Sequence, residues 1–522
     1  MEQSEAGLSI EARGLLSNRL LKNYGRLEDP IYHASSVFQA DGNNWPGDWE
    51  GRTILALMRL YEATGRRPVY LGGIIERLSR EWNEKGYLKD ILPEGEFSEQ
   101  AFSGHNWLIR GLEAYYRKTK DERVRGWLDR IVDNLYLPAC GAYRKYPVAP
   151  EERVYEGDPD GNLTGCVING WHTSSDTGCA FICLDGLSSL YLHLGMERLK
   201  PLLTEMIERF LTIDFTGISM QTHATLSGLR GILNFYEATG EACYLDEVRR
   251  IFRLYTDQGM TLNYANYNWF CRPTWTEPCA IADSMMLALR LYRLTGDSGY
   301  LRLFQRIYFN GFLSSQRANG GFGGDVCATP AQPDIKAEFY EAFWCCTMRG
   351  AEGLAEAKQA LAFWDGGTLV LGLYDSCAIR APGLSITEAS RYPEEGRVSL
   401  RIKNDRETPL KLRLYLPENA AEVTLTLDGS PLAARPEDGF LTCTVPAGES
   451  LLALSFTTPA VRVPFEGAPG KCLLFEGDIL LAQEKGREQP APLYQNYWIP
   501  KEEYADCVFR VLFDQTNKGE SL

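Results

Sequence analysis

The sequence predicts a mainly helical first part closed into an (α/α)6 toroid, followed by a C-terminal β-sandwich. Residues up to about 360 carry helical periodicity with a recurring helix ending, and the intervals between those endings are uneven. After Trp364-Asp365-Gly366-Gly367 the pattern turns to strand-like alternation. The expected division is a toroidal domain over residues 1–364 and a sandwich over residues 365–522.

The helical signature begins with Leu60-Tyr61-Glu62-Ala63-Thr64-Gly65 and returns as Phe235 to Gly240 and Leu291 to Gly296. Looser copies end at Lys120 and Gly195. Each places a Tyr four residues before a residue suited to the left-handed C-cap of a helix. A second amphipathic helix follows, as over Tyr244 to Tyr255 and Tyr300 to Phe312. Five such hairpins, plus a closing helix from about Gly350 to Phe363, give close to six pairs. The Tyr markers at 61, 116, 191, 236 and 292 keep no fixed period, which suits a closed toroid better than a regular solenoid. A long loop from Ala139 to Thr177, rich in Gly, Pro and Asp, is expected at the functional end.

Strands are expected over Thr368 to Tyr374, Arg397 to Lys403, Leu410 to Leu416, Val423 to Leu427 and Leu441 to Val445. Asp428-Gly429 reads as a hairpin turn between two of them.

A length of 522 residues calls for two or three domains, and a 44% hydrophobic fraction fits a packed globular protein. A net charge of −15 argues against nucleic-acid or anionic-membrane binding through a basic surface. The start of the chain shows no secretory signal pattern, and no apolar run reaches the length of a bilayer span. Fourteen cysteines without an export signal point to reduced thiols and a cytoplasmic location. Whether two copies pair as a homodimer is left open.

The chemistry gathers in two stretches, Thr276-Glu277-Pro278-Cys279 and Phe343-Trp344-Cys345-Cys346-Thr347. Pro278 holds Glu277 extended and opens a helix, so Glu277 and Cys279 belong at a helix N-terminus, which favours anionic groups. Cys345 and Cys346 stand in the same relation to the next helix. Three thiols and a carboxylate make a four-coordinate set suited to Zn²⁺, set against the plainer reading of buried cysteines in a cysteine-rich chain.

These stretches, with Leu291 to Asp297 and Tyr308 to Gly311 between them, resemble the β-L-arabinofuranosidases of glycoside hydrolase family 127, over roughly residues 100 to 375. The resemblance implies a zinc held by Glu277, Cys279, Cys345 and Cys346, with Cys345 as the nucleophile of a retaining glycosidase acting on a small carbohydrate. It also implies an acid/base Glu some 16 residues before Glu277, where this chain carries Thr261. A retaining hydrolase needs a proton donor. Asp325, Glu338 and Glu341 are candidates from nearby loops, with Asp48 and Asp176 from others.

His105 and His223 each open a predicted helix and resemble sugar-contacting positions of the family; capping or core roles are the alternative. Trp45 and Asp48, within Asp41 to Glu50, pair an aromatic face with a carboxylate, as sugar binding requires. Two rival readings stand beside the hydrolase. One is a non-hydrolytic carbohydrate-binding relative with a structural zinc. The other is a different (α/α)6 enzyme, an isomerase or lyase.

Overall fold

The structure is a computed structural model, and it describes residues 7–515 apart from 39–44, 154–160, 162 and 466. Among the described residues, twelve helices of eight or more residues build the first part. In chain order they are α1 (Leu15–Leu27), α2 (Asp48–Thr64), α3 (Leu71–Leu78), α4 (Glu99–Thr119), α5 (Glu122–Ile131) and α6 (Cys183–Leu194). Then come α7 (Lys200–Phe210), α8 (Thr222–Thr239), α9 (Ala242–Gln258), α10 (Pro278–Thr295), α11 (Ser298–Arg306) and α12 (Cys346–Leu361).

Six of these close a ring, each packed on the next in the order α2, α4, α6, α8, α10, α12 and back to α2. The remaining six flank the ring on its outside, α5 on α4 and α9 on α8 for example. The inner helices are apolar nearly all round, as a helix enclosed on every side must be. In α10 the residues Pro278 to Leu289 are all buried. The outer helices keep one apolar stripe, as α9 does with Val248, Ile251, Phe252 and Tyr255. The expected C-caps are present: Gly65, Gly195, Gly240 and Gly296 all have φ between 63° and 73°, and Lys120 has φ 57°.

Inner helices meet backbone to backbone where glycine allows it. A Cβ on Gly51 of α2 would lie 2.1 Å from the Leu108 nitrogen of α4, and one on Gly231 of α8 would lie 2.4 Å from the Leu184 carbonyl carbon of α6. These close approaches set how near α2 lies to α4 and α8 to α6.

The C-terminal part contains two sheets sharing one core with the helices. Seven strands run in the order Ser9–Ala12, Cys377–Ala381, Leu384–Ser390, Gly396–Asn404, Gly448–Thr457, Ala421–Leu427, Ser430–Pro431. Five more pair as Pro436–Glu437, Phe440–Val445, Leu410–Tyr415, Thr368–Leu371, Phe363–Asp365. Alternation decides which face is buried: Leu384, Ile386 and Glu388 point in, Ser385 and Thr387 out. Asp428 and Gly429, with φ 52° and 78°, make a tight turn as expected, but it joins Ala421–Leu427 to the short Ser430–Pro431 and not to Phe440–Val445, which lies in the five-stranded sheet.

Two features lay outside the sequence reading. The segment Ser9–Ala12, expected to lead directly into a helix, is an edge strand of the seven-stranded sheet, in register with Cys377 to Arg380. Strands after residue 460 form a further sheet that recruits Asp334–Phe339 and Gly324–Asp325 from the loop before α12. It has its own core around Phe475, Leu480, Phe509 and Val511.

Candidate functional site

Glu277 is the N-cap of α10 and Cys345 the N-cap of α12, so two helix N-termini converge on one point of the ring. The Glu277 amide donates to Asn266 Oδ1 at 2.8 Å, which fixes the extended approach to Pro278. The Sγ atoms of Cys345 and Cys346 are 3.4 Å apart, and those of Cys279 and Cys346 are 3.6 Å apart. Cys279 and Cys346 are buried and Cys345 is half-buried. The Glu277 Oε2 atom is buried without a hydrogen-bond partner.

The electrostatics separate the thiols. The neighbouring thiols of Cys279 and Cys346, together with Arg52, pull Cys345 down to about 5 despite its burial. Burial pushes the Cys346 thiol up, and it does the same to Cys279. One negative charge therefore settles most readily on Cys345, the half-buried member. Burial, then the adjacent Cys279, raises Glu277 well above the usual carboxylate range. A buried carboxylate in that condition, beside three thiols, is a donor set in search of a cation.

Arg52, one turn along α2 from Asp48, supplies positive charge. Its Nε donates to Asp48 Oδ1 at 2.7 Å, and its Nη1 lies 3.6 Å from Cys279 Sγ. Its guanidinium lies 3.9 Å over the Trp107 ring. His223 stacks on Trp107 at 5.6 Å. Its Nδ1 hydrogen-bonds Asp283 Oδ2 at 2.7 Å. Asp283 in turn is held by Arg230 at 2.7 Å, by Ser227 at 3.0 Å and by Arg349. Arg110, Arg230 and Arg349 share Glu352 as well, so a balanced cluster of buried charges underlies the site.

Of the other sequence candidates, Asp48 alone is tied to the thiols through Arg52. Asp325 is buried against Arg317 at 2.8 Å and the Tyr504 hydroxyl at 3.0 Å, tying the last sheet to the toroid. Glu341 accepts from Arg26 and from Thr347, each at 2.8 Å, and from Asn319 at 2.7 Å. Glu338 is exposed on the strand Asp334–Phe339. His105 is wholly buried, and backbone groups occupy both ring nitrogens: Leu88 N donates to Nε2 at 3.0 Å and Nδ1 lies 2.8 Å from Ala101 O. It has no ring nitrogen left for a hydroxyl. Trp45 is half-buried, its backbone seated against Gly104, while residues 41–44 of the same stretch lie outside the described residues. Asp48 is 9% exposed and engaged by Arg52. At Thr261 the hydroxyl donates to Asn263 Oδ1 at 2.7 Å, so the position carries a local turn contact and no acid.

Arg52, Trp107 and Asp283 were not singled out from the sequence. A usable signal existed for Asp283, a lone charge inside the apolar run Ala280 to Leu289. Trp344, beside Cys345, is a large aromatic left 49% exposed at the rim.

Comparison with known proteins bears on this geometry. Residues 230–359 match the model of the β-L-arabinofuranosidase GH127 catalytic domain, and residues 368–450 match that of the GH127 middle domain. A non-reducing end β-L-arabinofuranosidase of Bifidobacterium longum subsp. longum is 25% identical over 207 residues, covering 36% of this chain and 32% of that protein. The matched stretch thus spans about a third of that relative. A GH127 β-L-arabinofuranosidase from Geobacillus stearothermophilus T6 superposes with a TM-score of 0.66 at 16% identity, over 91% of this chain and 86% of that one. A second GH127 β-arabinofuranosidase gives 0.67 at 14% identity, over 91% and 84%. At that identity the two structures speak for the fold.

Proposed function

We propose that this chain, a member of glycoside hydrolase family 127, is a retaining glycosidase of the β-L-arabinofuranosidase kind that uses Cys345 as its nucleophile beside a zinc ion. The observation that carries the reading is the meeting of three thiols and the unpartnered Glu277 carboxylate at two helix N-termini. These residues fit a zinc ion in donor type and number: Glu277, Cys279, Cys345 and Cys346 would hold it. When bound, zinc keeps thiols ionised at neutral pH.

The chain's own residues supply the remaining steps. The Cys345 sulfur attacks the anomeric carbon, the bond to the leaving oxygen breaks, and a thioglycoside on Cys345 forms. Water then displaces the sulfur as a thiolate, giving its proton to the carboxylate that protonated the leaving oxygen and returning the original anomeric configuration. Arg52 favours the anionic thiolate over the thiol. The leaving oxygen needs a proton; Glu338 is exposed on the strand Asp334–Phe339, and Asp325 and Glu341 bond to Arg317 and Arg26, whereas the cation on Asp48, Arg52, itself reaches Cys279. We assign that proton to Asp48. It reaches the thiol cluster through Arg52, and burial raises its carboxyl to about 6, near the working pH of a general acid. Trp344 at the rim offers a face for the sugar or its aglycone.

Metal analysis with an aryl β-L-arabinofuranoside assay tests the proposal. The purified chain is expected to carry about one zinc. Cys345→Ala is expected to lower turnover by several orders of magnitude, as loss of a nucleophile does. Full activity in that variant refutes the nucleophile assignment. Sugar binding without turnover, across a panel of aryl glycosides, would favour the binding-protein reading instead.

A further inference from the structure

We infer that His223 Nε2 is an additional metal donor, one that keeps the ion in place when Cys345 is not bound to it. The inference rests on the zinc reading above and adds a residue outside the family's Glu-and-three-Cys set.

Three features of this chain point to it. First, a ring nitrogen of His223 belongs to a compact donor group with Glu277 and Cys279, one ligand atom of each lying within 4.8 Å of the others. Donor bonds of about 2.0–2.3 Å keep any two donors on one ion within about 4.6 Å. The group is therefore near the size one ion would draw together. Cys279 also belongs to the all-thiol group with Cys345 and Cys346, so the two groups share a corner.

Second, the tautomer is determined. Nδ1 faces the Asp283 carboxylate at 2.7 Å, and a carboxylate only accepts, so Nδ1 carries a proton and, in the neutral imidazole a metal binds, Nε2 carries the lone pair. A histidine whose outer N–H goes to a carboxylate is the usual arrangement of an imidazole metal ligand. Arg230, Ser227 and Arg349 hold that carboxylate, so the ring cannot readily turn.

Third, Nε2 has nothing to do as the chain stands. The side chain is 2% exposed, and Nε2 is buried with no hydrogen-bond partner, as is Glu277 Oε2 in the same group. Leaving a buried acceptor unsatisfied costs about 1–3 kcal/mol, a cost a bound cation would offset at both atoms. The Trp107 ring stacked on the imidazole closes one face against water.

The consequence is a division of labour. Glu277, Cys279, Cys346 and His223 make a complete four-donor set, all buried, and Cys345, half-buried, becomes the donor that can be spared. The full chain loaded with zinc tests this without any assay of turnover. X-ray absorption at the zinc edge should show the outer-shell scattering of one imidazole in the wild type and lose it in His223→Gln. Chelator competition should show Cys345→Ala retaining its zinc, and His223→Gln binding it about tenfold or more weakly. The double variant should lose the metal. Wild-type zinc with no imidazole scattering overturns the inference and leaves the thiolate reading intact, whether or not any variant folds. A histidine change that alters only the KM for the glycoside, with metal affinity unmoved, also overturns it. A wild-type chain that binds no zinc refutes the metal reading itself.

Discussion

At the residue scale the site is governed by the cost of burying charge. Asp48 and Glu50 sit two apart at the start of α2, both buried, but only Asp48 has a cation to itself in Arg52. If Asp48 is the proton donor, Asp48→Asn should slow substrates with poor leaving groups far more than activated aryl glycosides, by about 100-fold or more. Glu338→Gln, on the exposed strand Asp334–Phe339, should leave that dependence unchanged; the slope of rate against leaving-group pKa decides between them. Glu50 behaves differently. Burial raises its carboxyl to about 7, from an ordinary value of 4.5. A carboxyl with a raised folded pKa favours the protonated folded state, so its cost develops as pH climbs from about 4 to about 7. Glu50→Gln removes that cost. Its unfolding free energy should gain on the wild type over this range, by at most about 3 kcal/mol, and the gap should close again below pH 4. Denaturant melts at pH 4, 6 and 8 measure it. The thiols and Glu277 were legible because their motifs are local: a Pro after the carboxylate, and a vicinal pair before a helix. His105 was left between a sugar contact and a core role because its partners, Leu88 N and Ala101 O, depend on how a loop folds back, which residue type does not reveal. Arg52 was missed because only the closing of the ring, with α12 between α10 and α2, brings this buried arginine to the Cys279 thiol.

At the element scale the helices were the most legible feature, and the reason is periodicity combined with capping. A Tyr four residues before Gly65, Gly240 or Gly296 marks a helix end whose left-handed cap is a local property of the chain. What periodicity could not supply was the contact surface between helices. Gly51 shows no unusual feature in sequence, yet a Cβ there would meet the α4 backbone at Trp107 and Leu108 within 2.4 Å. Backbone cannot step aside as a flexible side chain does. Gly51→Ala should therefore cost about 1–3 kcal/mol or more, through overpacking. Because Trp107 carries the stacked Arg52 and His223, it should also displace the site. Gly25→Ala is the counterpart: Gly25 lies inside α1, exposed, with open space around its Cβ position, and the change should stabilise by about 1 kcal/mol. Thermal melts of the two variants should move in opposite directions. The π-turn over Ile307–Phe312 had no sequence signal and was expected to continue the helix as one amphipathic stretch.

At the scale of the whole molecule, dividing the chain near residue 364 describes the hydropathy pattern, while several contacts cross that division. The sandwich reaches back to the start of the chain in two ways. Ser9–Ala12 completes its sheet edge, and Asp375, just after the strand Thr368–Leu371, caps α1 by accepting from Leu15 N at 2.9 Å and Leu16 N at 2.7 Å. Elsewhere Arg19 of α1 donates to the Tyr494 carbonyl, Asn310 Nδ2 donates to Asp478 O at 2.9 Å, and Tyr292 of α10 stacks on Phe440 at 6.0 Å. None of these links is visible in sequence, because each joins residues more than a hundred positions apart through a surface defined only after both parts fold. If they couple the parts, the helical and β regions unfold together. Asp375→Ala removes the cap and leaves the part-buried Leu15 amide and the buried Leu16 amide unpaired, at a cost of about 1–2 kcal/mol. In scanning calorimetry this should lower the melting temperature of one shared transition. Two transitions, of which only the first shifts, would show that toroid and sandwich are independently stable and that the Asp375 contact is local to α1.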